Sequence, residues 1–497
     1  MSDLNFDYTL LIPELILAAA AGFVLLADAF RRELRLNRTL LPGFTVLAAA
    51  AAGLSSLAWL DTTDDFATLL AVDNFTAFFR VLFAVTLVTV VIGSYEFVAR
   101  EIRHQGEFYA MLLLATLGAS VMAAAQELLT AYIGVELLSF SLYVAVSLAK
   151  RDTRSGEAGL KYVLLGGVAS ATLLYGLSLI YGAAGSTSYA EIGEAFAAGT
   201  ANVELPLVLG LVLVIAGLGF KISAVPFHMW TPDAYEGAPL PVTAILSATS
   251  KAGAIALLLR LFSGPLLPVK DDWQWMLAVI ALATMVVGNL IALQQTNIKR
   301  LLAYSSIGQV GYMLMALATV SDASASALLL HLGGYTVTNL AVFMAVIAFY
   351  NRQRSEAIAD FRGLAETNPY LAFVIAAGLF SLSGMPLLAG FTTKFILFQA
   401  AAQDGYLWLV SIAVVMSTIS LYYYLQVIRL MYVREPDGAP TPDPQTGRLD
   451  RPNLRWRTSP ASYAVTALLL LGTIAIGLYA APLLEAADDA AAVLFPT

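Results

Sequence analysis

Long apolar runs recur from one end of this sequence to the other. Each is about as long as an α-helix must be to cross the hydrocarbon core of a membrane. Hydrophobic residues make up 59% of the 497 residues and charged residues only 12%, about half the charged share of a soluble domain. The sequence therefore predicts an all-α polytopic membrane protein with about fourteen transmembrane helices. The predicted spans are residues 8–30, 40–60, 72–97, 107–125, 127–149, 158–182, 205–230, 239–262, 273–294, 303–319, 324–350, 369–400, 406–432 and 461–482.

Cysteine and histidine content limits the chemistry of the chain. Cysteine is absent from the sequence, which excludes disulfides and cysteine-ligated iron–sulfur or zinc sites. The three histidines are His104, His228 and His331, so bis-histidine haem ligation is not expected and redox chemistry should lie on another polypeptide. The first apolar run lacks a basic n-region and a small-residue cleavage site, so we expect a retained helix and not a signal peptide.

Positive charge alternates between the loops, and this alternation predicts the orientation of the chain. Loops on the acidic side read DTTDD, AEIGEAF and SDASA, with Lys270 almost the only exception. By the positive-inside rule, the basic loops are cytoplasmic and both termini lie on the outer face. The basic loop residues are Arg31, Arg32, Arg35, Arg38, Arg100, Arg103, Lys150, Arg151, Arg154, Lys299, Arg300, Arg352, Arg354, Arg362, Arg434, Arg448, Arg451, Arg455 and Arg457.

Two apolar runs contain helix breakers close to a lysine. In the seventh span Pro226 follows Lys221, and in the twelfth Gly384 and Pro386 precede Lys394. The breaks lie five spans apart, so spans 4–8 and 9–13 are predicted to be two five-helix repeats, the second inverted. Paired broken helices are typical of inverted-repeat transporters with a site near the membrane midplane. The predicted divisions are residues 1–106 (helices 1–3), 107–262 (first repeat), 263–432 (second repeat) and 433–497 (cytoplasmic loop and C-terminal helix).

Four charged residues lie near the centres of spans: Glu136, Lys221, Lys251 and Lys394. A charge at the bilayer centre costs roughly 2.5–3.5 kcal/mol on insertion scales. Burial disfavours a charged ammonium and a nearby carboxylate favours it, so a Glu136–Lys221 pair would hold or release a proton as it closes or opens. The set suits proton movement: Lys251 would accept the proton and Lys394 would pass it on.

Polar residues line one face of three spans beside these charges. Residues spaced i, i+4 and i+8 share a helix face, and such a face is expected to point into the bundle. Together these faces would hold water and hydrogen bonds along the membrane plane. They are Thr243, Ser247 and Lys251 in the eighth span, Ser305, Gln309 and Tyr312 in the tenth, and His331, Tyr335 and Asn339 in the eleventh.

A structural role is the alternative for the central charges. Glu136 and Lys221 taken alone could form a static ion pair that fixes helix register, and Lys251 could bind a backbone carbonyl at a kink. Three central lysines with one carboxylate make a structural account of the whole set less convincing. A metal site is not expected because lysines dominate, and a sodium site would need more oxygen ligands than a single glutamate provides.

Other titratable residues in the spans carry weaker signals. His228 is expected near the cytoplasmic end of a broken helix, where an interfacial hydrogen bond explains it as well as proton transfer does. His331 is better placed for a relay, although a hydrogen-bonded core histidine is an equally good explanation. Arg80, in the third span, is expected to pair with a helix end or with Glu96.

Two stretches resemble a known family. Residues 220–253, FKISAVPFHMWTPDAYEGAPLPVTAILSATSKAG, and residues 297–313, NIKRLLAYSSIGQVGYM, are similar to motifs of the antiporter-like membrane subunits of respiratory complex I and its relatives. The resemblance spans roughly residues 107–432. The opening LLIPELILAAAAGFVLLADAF is similar to the start of the N-type branch, and Lys394 differs from the glutamate usual in the M type. His331 is a departure, since N-type chains more often carry a non-titratable residue there.

The resemblance implies a role for each central charge. Glu136 matches the fifth-helix glutamate and Lys221 its seventh-helix partner, while Lys251 matches the central eighth-helix lysine and Lys394 the twelfth-helix residue near the outward half-channel. It implies that FMN, iron–sulfur clusters and the quinone site lie on partner subunits, with no cofactor on this chain. The implied partners are an M-type antiporter-like subunit, small K- and J-type subunits and the lipid of a bacterial plasma membrane, and not nucleic acid.

Three hypotheses about function remain. In the leading one, the chain is a proton-translocating membrane subunit of an NADH:quinone oxidoreductase, driven by quinone reduction on other subunits. In the second, it is a subunit of a multisubunit cation/proton antiporter without a redox partner. In the third, it is a structural spacer whose buried charges are static. Gene neighbourhood separates the first two, and replacing Lys221 or Lys251 in an assembled complex separates the first from the third.

Overall fold

A computed structural model of the protein describes residues 7–30, 39–199, 204–433 and 455–495. Within these ranges, thirteen helical segments are long and apolar enough to cross a membrane. The remaining predicted span, 369–400, is divided into two shorter helices, so the fourteen predicted crossings are accounted for. The α-helices are α1 (Ile12–Ala29), α2 (Leu40–Ser56), α3 (Asn74–Gly93), α4 (Tyr95–Glu101), α5 (Gln105–Ala124), α6 (Leu128–Val146), α7 (Thr153–Ala184), α8 (Tyr189–Ala197), α9 (Glu204–Ile222), α10 (Trp230–Gly237), α11 (Leu240–Ile245), α12 (Lys251–Ser263), α13 (Lys270–Ala292), α14 (Ile298–Thr319), α15 (Asp322–Gln353), α16 (Leu364–Thr367), α17 (Pro369–Ser383), α18 (Ala389–Gln403), α19 (Leu407–Val433), α20 (Pro460–Leu478) and α21 (Ala481–Ala492).

Shorter elements join these helices. The α11 and α12 segments are one continuous crossing joined by a π turn at Leu246–Ser250. Short 3₁₀ helices occupy Tyr8–Leu11, Leu57–Trp59, Leu267–Val269 and Ile358–Phe361. Strands β1 (Asp64–Phe66) and β2 (Leu70–Val72) form an antiparallel hairpin.

Polar caps fix where several crossings begin. The side chain of Asp152 accepts a hydrogen bond from the Arg154 amide at the start of α7, and Asn297 and Asn368 cap α14 and α17 in the same way. Such caps satisfy amide groups that lack a partner within the helix. Because these caps all lie in the loops predicted to be basic, they mark one end of the bundle.

The two predicted repeats are visible in how the helices pack. In the first set, α5 packs along α6 and α7 packs on α9 and α10; in the second, α13 packs along α14 and α15 packs on α17 and α18. The third member of each set, α7 or α15, has 32 residues. Five crossings per set is an odd number, so the second set is inverted relative to the first. Helices α1–α3 pack beside the first set, and α20 packs on α15 and α18.

Several elements differ from the sequence predictions. The β hairpin is an exception to the all-α prediction, and α8 occupies part of the loop expected between the sixth and seventh spans. After the last crossing, the amphipathic α21 folds back against α15 and α3. The predicted seventh span, 205–230, is regular helix only as far as Ile222, and the short helix α10 follows the break. These elements are short and are held in place by tertiary contacts. No long apolar run in the sequence therefore indicates them.

Among the described residues, ion pairs join several of the loops predicted to be basic, and the end of the bundle where these loops meet is called the basic end below. There Arg354 pairs with Glu101 and Lys299 with Glu356. This joins loops that lie far apart in sequence, as an alternating arrangement requires. The predicted basic residues Arg31, Arg32, Arg35, Arg38, Arg434, Arg448 and Arg451 lie outside the described residues.

Candidate functional site

The first helix break places a lysine on freed backbone. Helix α9 ends at Ile222, and Ser223 takes a left-handed conformation with φ 69° before the chain loops to Trp230. The Nζ atom of Lys251 donates to the Ile222 carbonyl (3.2 Å) and to Ser223 Oγ (3.0 Å). The ammonium therefore lies at the C-terminal end of α9, where the helix dipole and the unpaired carbonyls favour a cation.

The second break repeats this arrangement. Helix α17 ends at Ser383, followed by Gly384 with φ 90°. Lys394 Nζ donates to the Leu382 carbonyl (2.7 Å) and to Ser417 Oγ (3.3 Å). A Cβ atom at residue 390 would collide with the Ser381 carbonyl oxygen, so the glycine there lets α18 approach the end of α17. Each break thus carries one buried lysine on the last carbonyls of its first half.

A π turn immediately precedes Lys251. This turn, Leu246–Ser250, widens the helix by one residue just before the lysine, and π turns occur often at functional sites. Lys251 is 1% exposed, and its Nζ atom lies 5.8 Å from the centre of the Tyr235 ring. Lys394 is similarly buried, with Nζ 4.9 Å from the centre of the Tyr312 ring. Both ammonium groups therefore rest on aromatic faces as well as carbonyls.

Glu136 and Lys221 do not form the expected direct pair. Lys221 Nζ donates to Ser139 Oγ at 2.7 Å, and Ser139 in turn donates to the Val135 carbonyl. The Oε1 atom of Glu136 is buried without a hydrogen-bond partner, although the two charges are close enough to interact electrostatically. Ser139 lies three residues after Glu136 on α6, on the same face of the helix. This hydroxyl therefore takes the place at Lys221 that was expected for the carboxylate.

The polar residues predicted to share one face of the eighth span contact three different helices. Ser247 accepts hydrogen bonds from Asn339 Nδ2 to its hydroxyl (2.6 Å) and from Tyr335 OH to its carbonyl (3.3 Å). Thr243 instead donates to the Tyr235 carbonyl at 3.1 Å, while Lys251 contacts the break in α9. The π turn shifts the helix register between these residues, so they do not form a single hydrogen-bonded row. Ser247 nevertheless joins the eighth span to the polar face of α15.

The polar faces of α14 and α15 meet the second break. Nδ1 of His331 lies 3.0 Å from Thr393 Oγ1, beside Lys394, and Nε2 of His331 is buried without a partner. Gln309 Nε2 donates to the Leu382 carbonyl at 3.0 Å, the same carbonyl that binds Lys394. In the same region Ser305 bonds to the Tyr424 hydroxyl, and Tyr312 OH accepts from Asn289 Nδ2.

Two weaker predictions need correction. His228 lies in the first break itself, between the end of α9 and the start of α10 at Trp230, and its Nδ1 is buried without a partner. Arg80 pairs with Glu14 instead of Glu96, through Nε–Oε1 and Nη2–Oε2 bonds of 2.8 Å. Arg80 lies near the start of α3 and Glu96 beyond its other end, so the helix itself separates them.

Three serine hydroxyls that bind the buried lysines were not predicted from the sequence. Ser139, Ser223 and Ser417 each accept a hydrogen bond from a buried lysine. The position of Ser223, directly after the apolar run that ends at Ile222, was a usable signal, whereas Ser417 lies on a helix far along the chain. Within the described ranges, no group of three or more His, Asp or Glu side chains is placed to hold a metal ion.

Comparisons with known proteins show which family this chain belongs to. The sequence model of the family described as NADH:quinone oxidoreductase/Mrp antiporter, TM matches residues 125–420, more than half of the chain. The NADH-quinone oxidoreductase subunit N of Moorella thermoacetica is 41% identical over 424 residues, which cover 85% of this chain and 86% of the relative. A chain in the solved structure of respiratory complex I from Thermus thermophilus with bound aureothin is 32% identical, with a TM-score of 0.77, covering 95% of this chain and 99% of that chain.

A chain of the Mrp complex from Dietzia sp. has a TM-score of 0.83, covering 98% of this chain and 97% of its own length, but only 23% identity. At that identity the likeness concerns the fold alone. With a family match over most of the broken-helix core and a 41% identical relative over most of its length, this chain belongs to the NADH-quinone oxidoreductase subunit N family.

Proposed function

We propose that this chain translocates protons as a membrane subunit of an NADH:quinone oxidoreductase. The alternative, a subunit of a multisubunit cation/proton antiporter, is less well supported. The 41% identical relative is named a subunit of the oxidoreductase, whereas the likeness to the Mrp complex concerns the fold alone.

One observation carries the proposal: Lys251 and Lys394 are buried but contact no carboxylate among the described residues. Their hydrogen-bond partners are the Ile222 and Leu382 carbonyls and serine hydroxyls. A buried ion pair that loses one charge leaves the other unpaired at a large cost. A lysine held by carbonyls and hydroxyls has no such partner charge, so it can lose and regain a proton in place.

The relay begins at the Glu136 end and runs along α15. Lys221, on Ser139, exchanges its proton under the influence of Glu136, and Lys251 receives it at the first break. The polar face of α15 then bridges the two breaks, because Asn339 and Tyr335 both contact Ser247. Water in contact with these groups carries the proton onward.

At the far end of that face, His331 reaches Thr393 beside Lys394. Lys394 passes the proton toward the outer face from the second break. His331 belongs to the relay as a hydrogen-bonding group, and His228 in the first break is a secondary member.

Partners complete the activity. FMN, iron–sulfur clusters and the quinone site lie on other subunits, and quinone reduction there drives the relay. The neighbours in the complex are an M-type antiporter-like subunit and small K- and J-type subunits. The chain lies in a bacterial plasma membrane with both termini outside. Its divisions follow the predicted boundaries of the N-terminal helices, the two repeats and the C-terminal part.

The test replaces Lys251 or Lys394 with alanine in the assembled complex. Each variant should lose proton pumping together with coupled NADH:quinone reduction, measured in proteoliposomes and normalised to the amount of assembled complex. Lys150→Ala is the matched control, since Lys150 is exposed and pairs with the surface residue Glu107. Unchanged pumping in both alanine variants would favour the structural-spacer hypothesis. Proton transport that persists without NADH and quinone would favour the antiporter.

A further inference from the structure

A cavity of about 670 Å³ opens at the basic end, between the two repeats. Residues from three loops and from the ends of helices α7, α10, α15 and α19 line it, and one of them is the partly buried Glu356. The other charged residues in its lining are Asp152, Arg154, Glu236 and Arg354. The cavity is polar and large enough to hold many water molecules. Solvent at the basic end therefore reaches Glu356.

One of the lining residues, Glu356, belongs to a buried ion pair, and this point of the lining is called the cavity base below. Lys299, in the first turn of α14, is 3% exposed. Its Nζ atom lies 2.7 Å from Glu356 Oε1 and donates to the Ala238 carbonyl at 3.0 Å. Asn297 Nδ2 contacts the other carboxylate oxygen at 3.4 Å. Glu356 thus faces water on one side and Lys299 on the other.

The Ala238 carbonyl, which accepts a hydrogen bond from Lys299, connects the ion pair with residues deeper in the bundle. Ala238 follows α10, and three residues earlier on that helix Tyr235 is wholly buried with a hydroxyl that has no hydrogen-bond partner. Buried hydroxyls are almost always satisfied, so a water at Tyr235 is expected. The ring of Tyr235 lies 5.8 Å from Lys251 Nζ. One short helix therefore connects the cavity base with the central lysine.

We propose that Glu356 and Lys299 form the proton uptake site that supplies Lys251 from the basic end. This inference rests on the proposed function. Cavity water protonates Glu356, which removes the charge that favours the ammonium of Lys299. Lys299 then passes its proton inward, through water at the Tyr235 hydroxyl, to a neutral Lys251. The proton on Glu356 moves to Lys299 and restores the ion pair, so one proton leaves the cavity and one arrives at Lys251.

A purely structural pair is the competing explanation. The loop that carries Glu356 is already fastened to the start of α14 by backbone bonds, from the Ile298 amide to the Glu356 carbonyl and from the Ile358 amide to the Thr296 carbonyl. The loop therefore does not depend on the Glu356 carboxylate for its position. Replacing the carboxylate with an amide of the same shape keeps these backbone bonds and removes the exchangeable proton. Because it also leaves Lys299 without a counter-charge, pumping is normalised to the amount of assembled complex.

The experiment uses the complete complex in proteoliposomes with the variant Glu356→Gln. Proton pumping coupled to NADH oxidation should fall several-fold, and azide, a small diffusible weak acid, should restore it by carrying protons to the cavity base. Glu107→Gln is the matched control: it removes an exposed carboxylate at the same end of the bundle, outside the cavity lining, where it pairs with Lys150. That variant should keep its rate and not respond to azide. Glu356→Asp, which keeps a shorter carboxylate, should give an intermediate rate that azide also raises.

Two results would overturn the uptake site. One is a wild-type rate in Glu356→Gln; the other is a slow Glu356→Gln and a slow Glu356→Asp that azide does not restore. Lys251→Ala in the same assay separates this inference from the relay itself. Loss of pumping in Lys251→Ala beside a wild-type rate in Glu356→Gln would remove the uptake site and keep the relay. Full pumping in Lys251→Ala would remove both.

Discussion

The buried lysines at the two helix breaks and the buried arginines Arg80 and Arg260 have different kinds of partner in this membrane protein. Arg80 is locked to Glu14 by two parallel bonds of 2.8 Å, and Arg260 donates to Asp73 at 2.8 Å and to the Ala123 carbonyl at 2.7 Å. Each arginine therefore has a carboxylate of its own. Lys251 and its counterpart at the second break, in contrast, are held by carbonyls and hydroxyls.

The difference follows from what each side chain can do. A guanidinium keeps its charge under all ordinary conditions, so it needs a permanent counter-charge when buried. An ammonium can lose its proton, and acceptors without charge tolerate both the ammonium and the neutral amine. The arginines fasten helices together: Arg80 joins α3 to α1, and Arg260 joins α12 to the ends of α3 and α5. The lysines at the breaks instead carry a proton that can be released and regained.

The strongest test of this comparison is to replace a lysine at a break with an arginine. Lys251→Arg keeps the positive charge and much of the packing but removes the exchangeable proton. We expect coupled proton pumping to fall by a factor of about 10² or more, the usual contribution of a positioned proton-transfer group. Pumping in proteoliposomes, normalised to assembled complex, measures the effect.

The control for this exchange is the same substitution at an exposed lysine. Lys150→Arg changes an exposed lysine at the basic end and should leave pumping unchanged. Near-normal pumping in Lys251→Arg would mean that only charge is required at the first break, and the distinction between lysines and arginines would fail.

Removing a counter-charge tests the arginine side. Glu14→Gln leaves Arg80 buried without a carboxylate, and breaking a buried pair in this way destabilises a protein by about 3–5 kcal/mol. We expect less assembled complex and a lower melting temperature, but normal pumping per assembled complex. The double variant Glu14→Gln/Arg80→Met should recover much of the stability, because no charge remains unpaired. Pumping lost in a well-assembled Glu14→Gln complex would place this pair in the relay and contradict the division of roles.

The sequence predicts the larger features and misses the partners. The fourteen crossings, both breaks and the buried positions of the central lysines follow from apolar runs, helix breakers and residue identity, which are local properties. The partner of Arg80 is Glu14, 66 positions away, and no local pattern connects them. The π turn before Lys251 leaves no composition signal, and the Ser139 contact depends on how α6 faces α9. Choices of partner arise from packing between helices, so they become visible only when the chain is folded.

A surface carboxylate offers the mildest test of the same comparison. Asp233 binds Lys161 Nζ at 3.0 Å and Arg300 Nη1 at 2.9 Å at the basic end, with a side chain that is 37% exposed. Partial burial would raise the pKa of Asp233, but the hydrogen bonds from Lys161 and Arg300 outweigh it and hold that pKa below its usual value. Asp233→Asn should lower the stability by less than about 1 kcal/mol, since exposed pairs are screened by solvent.

The pH dependence of this small effect has a definite sign. The pKa of Asp233 is lower in the folded state, so its contribution is fully present above the unfolded value of about 3.9 and is lost as the pH falls through the folded value. Thermal unfolding of the purified complex from pH 7 down to pH 3 should give a slightly higher melting temperature for wild type than for Asp233→Asn at neutral pH. The difference should shrink as the pH falls. A stability difference that widens in acid, or one as large as that of Glu14→Gln, would show that solvent exposure does not determine how much a carboxylate partner stabilises this protein.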